Sequence, residues 1–312
     1  MSAHIALDVG GTRLRAACYR SDSLEPVKIE KTPTQGGDRH VLEKLADMVR
    51  KIWPEDEEVE AIGIAAPGPT NPFKGIVYTA PNILGWDDLP ITRWFEERFH
   101  VPVLVGNDAN LAALGEWRYG AGRGHHHLLY MTISTGIGSG IIANNQLLLG
   151  VRGLAAELGH VTVDPDGPVC GCGQKGHLEA FASGPAIVLW VEQELANGIP
   201  SALAESQTLS AKAISKAAHA GDRLALKALQ RAGMYIGMAV VDFVHMFNPS
   251  IIIIGGGVSQ SGDLIMDPIR ACLRDRVISS HYLDDLTLTN PAFGDDAGLI
   301  GALALARSHA ED

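Results

Sequence analysis

Two stretches of this chain share one design. "IALDVGGTRLRAACYR", from Ile5, reads as strand, glycine-rich turn, strand; "LLYMTISTGIGSGIIANNQLLLG", from Leu128, reads the same way around the Thr135–Gly140 turn. Glycines at such turns let backbone N–H groups approach an anion that side chains would otherwise hold off. Taken singly, a glycine hairpin without a ligand is the commoner case. Two matched hairpins, each opening one half of the chain, are better explained by two related lobes gripping one phosphorylated ligand.

The remaining segments alternate between helix and strand. "DRHVLEKLADMVRKIW" carries apolar residues at helical spacing, "VEAIGIAAPGP" is an apolar strand run ending in a Pro/Gly loop, and "ITRWFEERF" is a short helix. "VPVLVGND" is a further strand that leads into the helix-like "ANLAALGEWRYG". Such alternation predicts an α/β fold with partly parallel sheets. Beyond residue 180 the chain is mostly helical until "PSIIIIGGGVSQSGD", a buried-strand run with glycines at its exit. Ligands of open α/β sheets sit at the carboxyl ends of strands, so this cluster is a third candidate nucleotide contact. The length of 312 residues leaves room for two lobes. A net charge of −11 argues against a nucleic-acid surface. No apolar run approaches the roughly 18–20 residues that span a bilayer. The N-terminus enters a strand at His4-Ile5-Ala6-Leu7 without a signal-peptide pattern, which points to the cytoplasm.

Several polar residues stand where chemistry is possible. Asp8 ends the first strand beside Gly10, Gly11 and Thr12, a place that suits a water-mediated magnesium ion or an Asp that merely braces the turn. Asp108 stands where a helix begins, as an N-cap or as the base that accepts a hydroxyl proton in phosphoryl transfer. Glu157, His160, Glu179 and Asn82 lie in glycine-rich loops and suit sugar hydroxyls, with surface salt bridges as the bland alternative.

Four cysteines, Cys18, Cys170, Cys172 and Cys272, are too few for a disulfide framework, and Cys18 and Cys272 read as packing residues. Cys170, Cys172 and His177 fall within eight residues, with His160 ten upstream. This Cys2His2 set favours tetrahedral zinc, although the C-x-C spacing is tighter than a usual knuckle, and a vicinal dithiol or plain loop stays open. In His125-His126-His127 neighbouring side chains alternate faces, which suits no single ion.

In order, "LDVGGTRLR", "GNDAN", "STGIGSG", "ELGH", "CGCGQKGHLEAFASG" and "IIIIGGGVS" resemble the motifs of the ROK family (repressors, open reading frames and kinases), most closely its bacterial glucokinases. The resemblance implies an α/β fold of the two-lobed, actin-like ATPase (ribonuclease H-like) type with a central cleft. Residues 1–115 plus 296–312 would form the small lobe, and 116–295 the large lobe with a zinc-binding loop. It further implies ATP as co-substrate and Mg²⁺ and structural Zn²⁺ as cofactors. Asp8 (magnesium, through water), Gly10, Gly11, Thr12, Arg13, Thr135, Gly136, Gly138, Gly256 and Gly257 would take the nucleotide and its phosphates. Asp108 would be the catalytic base, and Gly68, Asn82, Asn107, Glu157, His160 and Glu179 would join it around the sugar.

His160, Cys170, Cys172 and His177 would hold zinc, His160 serving metal and sugar through different ring nitrogens. The family's usual set is one histidine and three cysteines, so His177 is a departure. The family's repressors carry a helix-turn-helix domain before the core, whereas this chain starts at the core's first strand. A dimer or tetramer is the implied assembly. Glucose phosphorylation is the expected activity; phosphorylation of another hexose or N-acetylhexosamine, and non-catalytic sugar sensing, are the alternatives.

Overall fold

The computed structural model describes residues 2–34, 38–80, 82–206 and 208–309. Its first sheet contains β1 (Ser2–Val9), β2 (Arg13–Arg20), β3 (Pro26–Pro33), β4 (Glu58–Ala66) and β8 (Val103–Asn107), in the order β3-β2-β1-β4-β8. Its second contains β9 (Leu128–Ile133), β10 (Ile137–Ala143), β11 (Gln146–Leu147), β12 (Ile251–Gly255) and β13 (Thr287–Thr289), in the order β11-β10-β9-β12-β13. Each sheet joins its first three strands antiparallel and adds the last two parallel. The two matched hairpins of the sequence therefore open two copies of one topology.

Strand sequences fit these places. β1 and β12 sit inside their sheets, β1 between an antiparallel and a parallel neighbour and β12 between two parallel ones, and both are buried almost throughout, as their apolar runs require. The edge strand β3, "PVKIEKTP", is largely exposed, and its lysines and prolines discourage pairing with another chain. A small three-stranded sheet of β5 (Thr70–Asn71), β6 (Ile76–Thr79) and β7 (Asp87–Leu89) follows β4.

Helices α1 (Asp38–Ile52) and α2 (Ile91–Phe99) flank the first sheet, and the apolar residues of both enter its core. α4 (Glu179–Ala182), α5 (Gly184–Ala196), α6 (Ala211–His219), α7 (Arg223–Phe247) and α8 (Asp263–Arg276) build the larger core behind the second sheet.

Two further helices join the halves. α3 (Asp108–Tyr119) runs directly out of β8, and α9 (Ala297–Ser308) returns from the second half to lie on β1 and β4. Both contacts of α9 depend on glycine: a Cβ on Gly301 would stand 1.8 Å from the Leu111 carbonyl oxygen of α3, and one on Gly63 of β4 would stand 2.0 Å from the Ala302 carbonyl oxygen of α9. Buried Glu116, in α3, accepts from the N–H groups of Ala121 (2.9 Å), Ala292 (3.0 Å) and Phe293 (2.9 Å). It thereby pins the chain that leads into α9. Among the described residues no helix is long and apolar enough to cross a membrane.

Candidate active site

The site begins at the β8–α3 junction. Asn107 is the N-cap, its Oδ1 accepting from the N–H groups of Ala109 (3.0 Å) and Asn110 (3.1 Å). The N-cap reading of Asp108 is thus corrected: Asn107 does that work, and Asp108 is the first helical residue. Asp108 lies on a cavity of about 210 Å³ together with Asp8, Arg15, Gly256, Gly257, Asp295 and Gly298. Burial pushes its carboxyl up to about 7, the charge of Asp8 adds to the rise, and the Ala109 N–H, 2.8 Å from Oδ1, opposes it. Asp8 is itself raised by burial and drawn back by Arg15, whose Nε donates to Asp8 Oδ2 at 2.7 Å. Arg15 also reaches Asp296 Oδ1 at 2.8 Å. One of two neighbouring carboxylates is neutralised by a guanidinium, and the other is left poised near neutral pH.

Around this pair the turns are held by close contacts. Gly10 N–H donates to the Arg13 carbonyl at 3.0 Å, and a Cβ on Gly11 would stand 2.8 Å from that of Asn82. Gly68, at φ 77°, receives a bond from Asn107 Nδ2 at 3.1 Å. Gly256, at φ 86°, lies so near β9 that a Cβ would meet the Ile133 carbonyl oxygen at 2.4 Å. Buried Ser139 donates to the Ala156 carbonyl and accepts from Leu158 N–H (3.1 Å), clamping the loop that carries Glu157. Desolvation raises the Glu157 carboxyl, with His160 opposing and Glu179 adding.

Glu179 connects two parts of the site. One of its oxygens accepts from the Ile137 N–H at 2.8 Å, inside the second glycine turn, and the other lies 3.7 Å from Cys170 Sγ. Behind it, His160, Cys170, Cys172 and His177 bring four ligand atoms within 4.8 Å of one another. The Nδ1 atoms of His160 and His177 lie 3.8 Å from Cys170 Sγ and 3.2 Å from Cys172 Sγ. Sulfur and nitrogen ligands of one tetrahedral zinc stand about 3.6 Å apart, so the donor set and its spacing fit that ion.

A second cavity, of about 970 Å³, adjoins the first and shares Ser134 and Gly257 with it. Apolar Val188, Leu189, Leu209 and Val258 line it with Glu192, Lys212, Lys216, His219 and Gln260. Thr135 stands on its rim with Gly184 and Pro185 at the start of α5.

Residues 4–309 match the model of the ROK family. The chain belongs to the ROK family. It is 36% identical to a glucokinase of Thermotoga maritima over 306 residues, which cover 96% of each chain. It is 34% identical over 248 residues to the xylose repressor of Bacillus subtilis; that match covers 80% of this chain and 61% of the repressor. Among solved structures, a ROK family glucokinase from Streptomyces griseus in complex with glucose and AMPPNP superposes with a TM-score of 0.84. Its identity is 36%, over 98% of this chain and all of the other. The two-lobed actin-like ATPase fold expected from the motifs is the fold of this ROK chain.

The ROK motifs converge unevenly. Asp8, Asp108, Gly256 and Gly257 share one cavity, and Glu157, His160 and Glu179 form a second group that the charge of Glu157 links to Asp108. Thr12 and Arg13 are exposed, and the arginine on the cavity is Arg15. Gly138 owes its smallness to packing, since a Cβ there would stand 2.8 Å from that of Ala109. Arg15, Ser139, Glu116 and the lining of α5 and α6 escaped the sequence reading. Arg15 had a signal, because it lies two residues from Arg13 and so on the same face of β2.

Proposed function

We propose that this ROK sugar kinase transfers the γ-phosphoryl group of ATP to the C6 hydroxyl of glucose, with Asp108 as general base. The observation that carries the reading is the Asp108 carboxyl, raised to about 7. It sits between the phosphate-sized cavity and the Glu157–His160–Glu179 group. A base of that strength is half ionised at neutral pH and can accept a hydroxyl proton as the new P–O bond forms. The S. griseus glucokinase, with glucose and AMPPNP bound, supports the choice of both substrates.

In this reading the γ-phosphoryl group lies against the cavity of Asp8, Gly256 and Gly257, and adenosine occupies the larger cavity beside it. Asn82, Glu157, His160 and Glu179 orient the sugar hydroxyls, while both ends of the Asn107 amide are engaged locally and hold Gly68 and the helix start in place. Magnesium bound with the nucleotide would offset phosphate charge, and Asp8 is the residue to hold it through water. Zinc on His160, Cys170, Cys172 and His177 would fix the sugar-binding loop from behind, without taking part in the reaction. Residues 1–115 with 296–312 form the small lobe in this account, and 116–295 the large one.

A second reading, a sugar-binding regulator, draws on the likeness to the xylose repressor. A coupled ADP-release assay over glucose, mannose, fructose, xylose, N-acetylglucosamine and N-acetylmannosamine separates the two. Turnover highest with glucose supports the proposal, another preferred sugar redirects it, and no turnover with any sugar supports the regulator.

A further inference from the structure

A third cavity, of about 210 Å³, opens at the far end of α3 and takes no part in the site above. Trp117, Arg118, Arg123, His125, His126 and Asn145 line it, together with Gly124, and among the described residues no acidic side chain does. In a chain of net charge −11 this is a local excess of cationic groups on an otherwise acidic molecule.

Its walls are fixed from several directions. Trp117 Nε1 donates to the His125 carbonyl at 2.8 Å, and His125 Nδ1 bonds Ser250 Oγ at 2.8 Å. Asn144 and Asn145 both adopt left-handed backbone angles, φ 51° and 62°, and dock their turn on His126. The Asn145 N–H donates to the His126 carbonyl at 3.1 Å, and its Oδ1 bonds His126 Nδ1 at 2.5 Å. The Arg118 guanidinium lies 4.9 Å from the Trp117 ring. Arg123 is exposed, and its side chain makes no hydrogen bond or ion pair among the described residues. A rigid notch with a free guanidinium on its rim needs no rearrangement to receive an anion.

We propose that this notch binds a phosphate group, carried by inorganic phosphate or by a small phosphate monoester. Arginine presents a planar fork of donors that matches phosphate oxygens, and the Arg123 fork offers those donors to an anion beside the cationic side chains of the notch. The volume is below the ~300–1,000 Å³ of sites for drug-sized molecules, so the ligand is compact. Trp117 lies nine residues beyond Asp108 on α3, about 14 Å along the helix. The notch therefore stays available when the cleft is full.

The test is calorimetric titration of the full chain at low ionic strength, with glucose and a non-hydrolysable ATP analogue filling the cleft. Inorganic phosphate and glucose 6-phosphate are titrated separately. One site per chain is expected, weakened about tenfold by Arg123→Ala and less by Arg123→Lys, with basal turnover unchanged in both variants. Equal affinity for the two titrants identifies the free anion as ligand, and binding of the sugar phosphate alone identifies the ester. Absence of saturable binding of either at about 10 mM, or binding that Arg123→Ala leaves unchanged, would overturn the proposal.

Discussion

Replacing Asp108 with asparagine should remove turnover and add stability in one step. The folded protein raises this carboxyl from 3.8 to about 7, chiefly by burial and by the nearby charge of Asp8. The native state therefore holds the proton more tightly than the unfolded chain, and stability contributed by this group falls as pH rises between about 4 and 7. Above pH 7, where the folded protein must hold the group ionised, it costs about 4 kcal/mol; at pH 5, where the folded protein keeps it protonated while the unfolded chain ionises it, the cost is about 2 kcal/mol, each an upper bound. Asparagine carries no charge at either pH. Asp108→Asn should then gain more stability at pH 8 than at pH 5, by about 2–3 kcal/mol, when urea unfolding of variant and parent is compared. General-base catalysis contributes typically 10²–10⁴-fold, so kcat should fall by that factor while the glucose Kd holds within about threefold. In the parent enzyme, kcat/KM should rise about tenfold per pH unit below 7 and level off above it. A stability change that is the same at both pH values would refute the electrostatic reasoning, and near-normal kcat would refute the assignment of the base.

Three further outcomes follow from particular contacts. His177→Ala should lower the zinc content of the purified chain from one per molecule to none and lower its melting temperature, measured by elemental analysis and a thermal scan. Gly256→Ala introduces a Cβ into the Ile133 backbone at a positive φ and should destabilise by about 2–3 kcal/mol with a raised KM for ATP. Glu116→Gln sets an amide among three backbone donors and should cost about 2–4 kcal/mol in urea unfolding.

Much of the fold was legible because its signals are local. Strand–glycine–strand hairpins at Ile5 and Leu128, and the isoleucine run before Gly255, each announce themselves in short stretches, and they mark the ends of the strands around the cavity of Asp8 and Asp108. The Cys/His set was legible too, since its spacing is short except for His160. What escaped was set by tertiary packing. Lys212, Lys216 and His219 fall on one face of α6, a pattern that reads as a solvated helix until α5 and Val258 close a cavity over it. Buried Glu116 looks like any glutamate on a helix until the loop before α9 delivers the N–H groups of Ala292 and Phe293, 176 and 177 residues later. In the sequence Asp108 alone reads as the cap; the N–H groups of Ala109 and Asn110, both donating to Asn107, assign that place to its neighbour.

The central claim is catalysis on glucose. Its most direct measurement is the rate of glucose 6-phosphate formation from ATP and glucose by the purified chain, beside the same hexose panel. The account predicts turnover with kcat/KM highest for glucose and lost in Asp108→Asn. Glucose or xylose binding without phosphorylation of any sugar would contradict it.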